Sequence, residues 1–165
     1  MLRCMPAKQR KNGSIAEVAL DDTNLALIAE LQTDARLSLA ELGRRVGLSA
    51  PAVADRLARL EGSGVIRGYR ADVDPRALGL PLSVIIRMRP APRELHKVAA
   101  LAVATPEVVE CLRMTGEDCY LIRAHVRDVE HLEEVIDRFA LFGQTTSSIL
   151  QSAPVPGRGI SLPAG

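Results

Sequence analysis

The spacing of apolar residues changes near residue 72, and this change restricts the fold more than any other feature of the chain. Before it, apolar residues recur every three or four positions, as they do along one face of an α-helix. These residues are Leu25, Ile28, Leu31, Leu39, Leu42, Val46, Val53, Leu57 and Leu60. After it, apolar and polar residues alternate with the period of two that is typical of β-strands. The sequence therefore predicts a helical domain (18–71) and an α+β domain (82–153), joined by a linker (72–81) that contains two prolines and a glycine.

Three capping signals divide the helical domain into three predicted helices. The capping residues are Asp21 or Asp22, Ser38 and Ser49. Each has a side-chain oxygen that can accept a hydrogen bond from a backbone N–H of the first turn. Glu41 completes a capping box with Ser38, and Pro51 occupies the first turn of the third helix, where its missing N–H costs little.

The second and third helices are predicted to form a helix-turn-helix. A short turn containing Gly47 separates Val46, the last apolar contact of the second helix, from the cap of the third. Small residues at the start of the third helix let it enter the major groove of DNA, and arginines one and two turns later can reach guanine edges or phosphates. The candidate DNA contacts are Ser38, Arg45, Ser49, Ala50, Ala52, Asp55, Arg56, Arg59 and Arg67.

The exposed face of the third helix and the segment after it allow two further predictions. Asp55 and Arg59 stand four residues apart, so they either contact DNA or form a solvent-exposed ion pair on the helix. Residues 62–70 alternate apolar and polar between glycines, which predicts a hairpin wing. Arg67 and Arg70 in this wing are candidate phosphate contacts.

The second domain is predicted to follow the order βαββαβ. Its strands are expected over residues 82–89, 108–114, 119–126 and 145–152. Pro92 opens the first helix and Asp128 caps the second. In the first strand, Val84, Ile86 and Met88 point to one face, where the two helices are expected to cover them.

The opposite face of this sheet has no helix to cover it. It is predicted to present Ile85 and Leu121 among Arg87, Arg123 and His125. A half-apolar face of this kind usually packs against a partner. The sequence therefore predicts a homodimer that forms through the sheets.

The charge distribution restricts any nucleic-acid surface to the first domain. The chain has 21 Lys+Arg and 20 Asp+Glu, a net charge of +1. Residues 36–70 hold seven basic and three acidic side chains, whereas residues 77–165 hold nine and ten. With two tyrosines, two phenylalanines and no tryptophan, the chain has few side chains on which single-stranded bases can stack. We therefore expect double-stranded DNA as the partner.

The cysteines and the apolar runs indicate the compartment. The three cysteines contain no CxxC pair and leave one unpaired in any disulfide scheme, which favours a reducing environment. No apolar run approaches the ~18 residues that a membrane span needs. We expect a cytoplasmic protein without membrane contacts, with a flexible basic arm at residues 1–17 and a flexible tail at residues 154–165.

Catalytic motifs are not found. His96, His125 and His131 lack metal-ligand spacing with the cysteines, and His131 beside Glu133 and Glu134 suggests a solvated helix face. The sequence contains no phosphate-binding Walker loop, dinucleotide GxGxxG motif or GxSxG elbow. It therefore predicts neither an enzyme nor a metal or cofactor site.

The chain resembles the Lrp/AsnC family of feast/famine transcriptional regulators over about residues 18–153. The similarity lies in LSLAELGRRVGLSAPAVADRLARLEGSGVIRGYRADVDPRALGL, VVECLRMTGEDCYLIRAHV and RFALFGQTTSSI, and it is most specific in the patterns LExxGVIxGY and TGxxxY. The resemblance implies an N-terminal winged helix-turn-helix domain joined to a ferredoxin-like βαββαβ domain that oligomerises and binds amino acids. It also implies dimers that assemble further into discs around which DNA wraps.

An amino-acid effector needs partners for its carboxylate and its ammonium group. The turn 115–118 and the stretch 143–148 offer both, although a β-turn and an edge strand also favour these residue types. The resemblance places the ligand site of the family here, at a subunit interface. Many members have an acidic residue where this chain has Cys119, which implies a neutral effector rather than lysine or arginine. The candidate effector residues are Thr115, Gly116, Glu117, Asp118, Cys119, Gln144, Thr145, Thr146 and Ser147.

The sequence thus predicts a sequence-specific DNA-binding transcriptional regulator whose oligomeric state or DNA affinity responds to an amino acid. One alternative is an effector-independent architectural protein that wraps DNA, in which the second domain only builds oligomers. A second is an amino-acid-binding regulatory subunit of an enzyme that does not bind DNA.

Overall fold

Residues 19–163 are described by the computed structural model, and their contacts divide them into two units. The first contains the described residues up to Ala71 and those from Gly157 onward, and the second spans Asp72–Pro156. The arm predicted over residues 1–17 lies outside the described residues. In the first unit, the Gln32 side chain accepts a hydrogen bond from the N–H of Ile160 at 2.5 Å and donates one to its carbonyl at 3.1 Å. The flexibility of the tail stays a prediction.

The first unit is built on three helices, as predicted. They are α1 (Asp22–Thr33), α2 (Leu39–Val46) and α3 (Ala50–Ser63). The predicted caps are confirmed, because Asp21, Ser38 and Ser49 each accept a hydrogen bond from the backbone N–H three residues later. Gly47 ends α2 with φ +73°, a left-handed conformation that glycine adopts without steric cost.

The core of the first unit is aliphatic. Its buried residues come from all three helices and are Leu27, Leu42, Val53, Leu57 and Leu60. Because α2 and α3 both contribute side chains to this cluster, the core fixes the orientation of one helix against the other. Ala50 and Ala52, at the start of α3, lie outside this cluster and are partly exposed.

The predicted hairpin wing is wrong. No strand follows α3 before β1 in the described chain, and residues 67–74 have no regular secondary structure. Val65 and Ile66, which the alternation assigned to a strand, pack instead against the helical core. The N–H of Ile66 also donates to the carbonyl of Leu60 at 3.0 Å, so the chain folds back on the helix end rather than pairing as a hairpin.

The second unit has the predicted βαββαβ order after a short 3₁₀-helix at Pro75–Leu78. Its elements are β1 (Leu82–Pro90), α4 (Leu95–Ala104), β2 (Val108–Arg113), β3 (Tyr120–Val126), α5 (Val129–Ala140) and β4 (Gly143–Ile149). The strands form one antiparallel sheet in the order β2-β3-β1-β4. The predicted α+β class is confirmed, with a helix-turn-helix unit followed by a βαββαβ unit, but without the strands of the wing.

Two elements of this unit differ from their predicted limits by more than one residue, for reasons of local geometry and pairing. The first helix begins at Leu95 rather than Pro92, because Arg93 has a left-handed φ of +72° and interrupts a helical path. The last strand runs from Gly143 to Ile149 rather than over residues 145–152. Its partner β1 sets these limits, since Gly143 pairs with Pro90 and Ile149 pairs with Val84.

The two faces of the sheet differ as expected. Val84, Ile86 and Met88 are fully buried in a core with residues of both helices. On the other face Ile85 and Leu121 are half-buried, and their neighbours Arg87 and Arg123 are exposed. In the described part of the chain, no helix is long and apolar enough to cross a membrane.

Candidate DNA-binding and effector sites

The first two turns of α3 present small residues and then a charged pair. Ser49 caps the helix, and Ala50 and Ala52 follow it with partly exposed side chains. One turn later, Asp55 accepts a hydrogen bond from Arg59, and each side chain is 64% exposed. The helix start can therefore approach another surface closely, while Arg59 is accessible at its side.

Arg45 is held by two carboxylates rather than standing free. Its guanidinium donates to Glu30 at 2.6 Å and to Glu41 at 2.8 Å. Arg44 also binds Glu41, at 2.6 Å. Hydrogen bonds from Arg44 and Arg45 lower the pKa of Glu41 to about 2. The carboxylate of Glu41 binds arginines rather than the backbone N–H of Ser38, so the predicted capping box forms only in part. Its formed half is the Ser38 hydroxyl accepting from the Glu41 N–H at 3.2 Å.

Arg56 does not lie on the exposed face of α3, which corrects the expectation from helical periodicity. Its side chain is 29% exposed and reaches across to the start of α1. There it donates to both carboxylate oxygens of Asp21, at 3.0 and 2.8 Å, and to the Asn24 carbonyl oxygen at 3.0 Å. Arg67, in contrast, is exposed in the segment after α3.

Most of the predicted effector residues lie at one end of β1. The turn between β2 and β3 flanks β1 on one side, and the first residues of β4 flank it on the other. Directly opposite residues in antiparallel strands point to the same face. Thr146 is opposite Arg87, and Gln144 is opposite Arg89, so these four side chains share the face opposite to α4 and α5.

The turn contributes two carboxylates to the same end of the sheet. Glu117 binds Arg89, and Asp118 lies 3.6 Å from Arg87. Gly116 has φ +112°, which favours glycine in the turn. The thiol of Cys119 points back to the turn, with its sulfur 3.9 Å from the carbonyl oxygens of Gly116 and Glu117.

Two of the nine predicted effector residues lie on the other side of the sheet. Thr145 is opposite Met88 and Ser147 is opposite Ile86, both of which point to the helix-covered face. The structure therefore brings Gln144 and Thr146 together with the turn, and it separates Thr145 and Ser147 from them.

The chain matches known domains in both units. Residues 20–61 match the AsnC-type helix-turn-helix domain, and residues 83–160 match the Lrp/AsnC ligand binding domain. The HTH-type transcriptional regulator LrpC of Bacillus subtilis is 33% identical over 133 residues, which are 81% of this chain and 92% of that protein. The chain belongs to the Lrp/AsnC family.

Other relatives of this Lrp/AsnC protein agree in sequence and fold. LrpA of Mycobacterium tuberculosis is 36% identical over 132 residues, or 79% of this chain and 85% of that protein. The solved structure of B. subtilis LrpC has a TM-score of 0.80 at 31% identity and covers 85% of this chain and 100% of that one. A feast or famine regulatory protein from M. tuberculosis complexed with L-methionine has a TM-score of 0.81 at 34% identity and covers 86% of this chain and 99% of that one.

The relatives are named as transcriptional regulators. The predicted family is therefore confirmed, and so is the prediction that this Lrp/AsnC protein is not an enzyme.

Sequence reasoning missed the link between the arginines of β1 and the effector turn, and it missed the partners of Arg56. The alternation along β1 places Arg87 and Arg89 on the uncovered face. The alternation does not predict that Arg89 contacts Glu117, because the two residues are 28 positions apart in the chain. Nothing in the sequence signals the contact of Arg56 with Asp21 and Asn24, because this contact depends on how α1 packs against α3.

Proposed function

We propose that this Lrp/AsnC protein is a sequence-specific DNA-binding regulator of transcription whose oligomeric state or DNA affinity responds to an amino acid. The observation that carries the proposal is the exposed start of α3, where small residues precede an accessible arginine. It acts on double-stranded DNA in the cytoplasm as a homodimer that assembles further. Its α+β domain supplies both the oligomer contacts and the effector site.

In the proposed complex, α3 lies in the major groove. Ser38 and Ser49 bring the N-termini of α2 and α3 near phosphates, where unpaired N–H groups favour negative charge. Arg59 leaves Asp55 and contacts a guanine edge or a phosphate. A two-fold dimer then requires a pseudo-palindromic site with half-sites about one turn, ~34 Å, apart or a multiple of it.

Selection from a randomised duplex pool, followed by gel-shift titration, tests the DNA-binding part. Arg59→Ala is expected to weaken binding to the selected duplex by roughly 1–3 kcal/mol. Arg113→Ala, which removes the same charge from β2 of the other unit, is the matched control and is expected to have little effect. Equal affinities of the two variants would show that α3 is not the reading helix.

The effector site is proposed at the end of β1. Glu117 and Asp118 offer carboxylates for the ammonium group, and Arg87, Arg89 and the Thr146 hydroxyl offer donors for the carboxylate. An amino acid that binds here exchanges its own charges for those of the existing ion pairs. Because two arginines balance two acidic residues, the site and a zwitterionic ligand together carry no net charge, whereas a side-chain cation would add an unbalanced positive charge. This charge balance supports a neutral effector. Solved relatives complexed with L-methionine support the amino-acid class.

Isothermal titration calorimetry with methionine, leucine, lysine and arginine tests this site. The neutral amino acids are expected to bind more tightly than the basic ones. Thr146→Val is expected to weaken binding, whereas Thr145→Val, one residue away on the other face, is expected to leave it unchanged. Tighter binding of lysine or arginine, or equal effects of the two threonine variants, would refute this placement.

The effector-independent architectural protein remains the second candidate, and one observation favours it. The ion pairs of Arg89 with Glu117 and of Arg87 with Asp118 already neutralise the charges of the turn without a ligand. A thermal-shift screen with the twenty amino acids separates the two, because a ligand that binds only the folded state raises its melting temperature. DNA binding without any amino-acid shift would favour the architectural protein.

A further inference from the structure

Arg56 joins the start of α1 to the middle of α3 through a small polar cluster. Asp21 caps α1, accepting from the Asn24 N–H at 2.7 Å, and its carboxylate also receives the Arg56 guanidinium. Asn24 is only 5% exposed. Its side-chain carbonyl accepts from Arg56 at 3.0 Å, and its side-chain amide donates to the Ala19 carbonyl at 2.8 Å.

This cluster makes it costly for Arg56 to turn toward DNA. The Asn24 carbonyl oxygen would lose its arginine donor inside the protein, and leaving a buried polar group unpaired costs more than a typical hydrogen bond gains. The carboxyl of Asp21 stays charged, because the hydrogen bond from Arg56 lowers its pKa. Arg59, whose only protein partner in the described structure is the exposed Asp55, has no comparable constraint.

We infer that Arg56 is a positioning residue that fixes the angle of α3 by holding it to the cap of α1, and that it does not read bases. The inference rests on the proposed DNA-binding function. It assigns Asp21 an unusual role, since an acidic residue near a DNA-binding surface normally repels phosphates. Here its loss is expected to weaken specific DNA binding, because α3 loses its support.

The decisive comparison is Asp21→Ser against Asp22→Ser, measured by gel shift on the duplex that the wild-type protein selects from a randomised pool. Both changes remove one negative charge near the start of α1, and serine preserves the cap at position 21. Asp22→Ser is expected to bind as tightly as the wild type or slightly more tightly. Asp21→Ser is expected to bind roughly tenfold more weakly, the size of a lost hydrogen bond between charged groups.

A second variant separates the ion pair from the helix cap. Asp21→Glu retains the charge that binds Arg56 but is a poorer cap. Its affinity for the selected duplex is expected to lie closer to that of the wild type than the affinity of Asp21→Ser. Circular dichroism at the assay temperature checks that each variant keeps its helices.

The ratio of the affinity for the selected duplex to the affinity for an unrelated duplex of equal length separates positioning from a general loss of fold, because partial unfolding would lower both affinities. Positioning of α3 affects base contacts, so Asp21→Ser and Arg56→Ala are expected to lose specific affinity while their affinity for the unrelated duplex stays within about twofold of the wild type. The wild-type preference among single-base variants of the selected site is expected to persist in Arg56→Ala.

Three results would overturn the inference. Asp21→Ser binding as tightly as Asp22→Ser would show that the cluster does not support α3. Loss of preference at one base pair in Arg56→Ala would show that Arg56 reads that base. If Asp21→Ser unfolds, Asp21→Glu decides the question. An affinity of Asp21→Glu far below that of the wild type would show that the ion pair with Arg56 does not support α3.

A wild-type protein that selects no duplex from the pool would refute the proposed DNA-binding function, and the inference about Arg56 together with it.

Discussion

Gly43 lies in the middle of α2 and allows the helix-turn-helix to close tightly. A Cβ atom at this position would collide with the carbonyl oxygen of Leu48, in the turn before α3. The same close approach brings the N–H of Leu48 within 2.8 Å of the Gly43 carbonyl. Gly47 could be predicted from the sequence, because it directly follows the last residue of α2 and glycine commonly ends a helix in the left-handed conformation. Sequence periodicity cannot identify Gly43, because the reason for that glycine is a contact made only in the folded domain.

Gly43→Ala is therefore expected to destabilise the first unit, although alanine favours helix. The collision with backbone is expected to cost ~1–3 kcal/mol, as for other overpacked sites. Gly62→Ala in α3 is the matched control, since a Cβ there meets no atom within 4 Å. It is expected to stabilise the unit by ~0.5–1 kcal/mol through helix propensity. Urea unfolding followed by circular dichroism measures both, and the same sign for the two variants would contradict the argument.

The arginines of the helix-turn-helix show how far residue types predict a site. Their number and helical positions could be predicted, because α2 and α3 follow from caps and periodicity. Their partners could not, because Asp21 is 35 residues from Arg56 and Glu30 is 15 from Arg45. Such contacts depend on the packing of whole helices. Sequence reasoning therefore predicted an exposed arginine at Arg59, but it assigned Arg56 to the wrong face.

At the scale of elements, α5 is joined to the segment before β2 by Glu107. The prediction that His131 lies on a solvated helix face is wrong, since this residue is 6% exposed. Its Nε2 lies 2.8 Å from a Glu107 carboxylate oxygen, and its Nδ1 accepts from the Arg127 N–H at 3.3 Å. Arg138 donates to the same Glu107 oxygen at 3.0 Å.

This cluster predicts a specific acid sensitivity of the second unit. Burial by itself raises the pKa of Glu107, but hydrogen bonds from His131 and Arg138 outweigh it and lower the pKa to about 2. A carboxylate whose pKa is lower in the folded state stabilises the fold above its unfolded pKa, near 4.5. That contribution, about 2–3 kcal/mol, is lost as the pH falls from about 4.5 toward 2.

Glu107→Gln is expected to lower stability at pH 7 and to flatten its dependence on pH below about 4.5. Urea midpoints measured at several acidic pH values test this. Glu133→Gln, on the exposed side of α5, is the control and is expected to keep the wild-type slope. The stability of Glu107→Gln is still expected to fall somewhat with decreasing pH, because Glu41 in the other unit also has a lowered pKa. An unchanged slope relative to the control would disprove the role of the cluster.

The elements that sequence predicted correctly are those whose signals are local. The caps of α1, α2, α3 and α5 lie next to the helices they begin, and the alternation in β1 needs no partner to be recognised. The wing failed because Val65 and Ile66 have the apolar character of a strand but find a nearer surface on the helical core. The predicted limits of β4 were wrong because the pairing with β1, and not the sequence of β4 itself, decides where this strand begins and ends.

At the scale of the whole molecule, the uncovered face of the sheet has the properties of a surface that is buried in an assembly. Ile85 and Leu121 form its apolar centre. Arg123 lies 3.6 Å from Glu110 at one side, and Ser83 is hydrogen-bonded to His125 at 2.9 Å. Burial, with a smaller effect of Arg123, lowers the pKa of His125, which favours the neutral form of its ring. Packing this face against a second copy would bury the apolar centre without enclosing an unpaired charge from the histidine.

In the proposed dimer, the same face brings the two DNA-binding units together, and Leu121→Glu tests this. A carboxylate at the centre of a sheet-to-sheet contact would face its own symmetry mate, because a two-fold interface brings the same patch of both copies together. The variant is expected to sediment as a monomer at micromolar concentration, where the wild type sediments as a dimer or larger. It is also expected to lose the preference for two correctly spaced half-sites, while each single half-site still binds weakly.

Val103→Glu provides the control for this experiment. Val103 is 80% exposed on α4, so the substitution introduces the same charge on an apolar surface residue away from the uncovered sheet face. It is expected to leave the dimer intact. If Leu121→Glu remains dimeric, or if both variants dissociate, the sheet face is not the dimer contact. The requirement for a pseudo-palindromic site would then lose its structural basis, since the spacing of half-sites follows from the two-fold axis of the dimer.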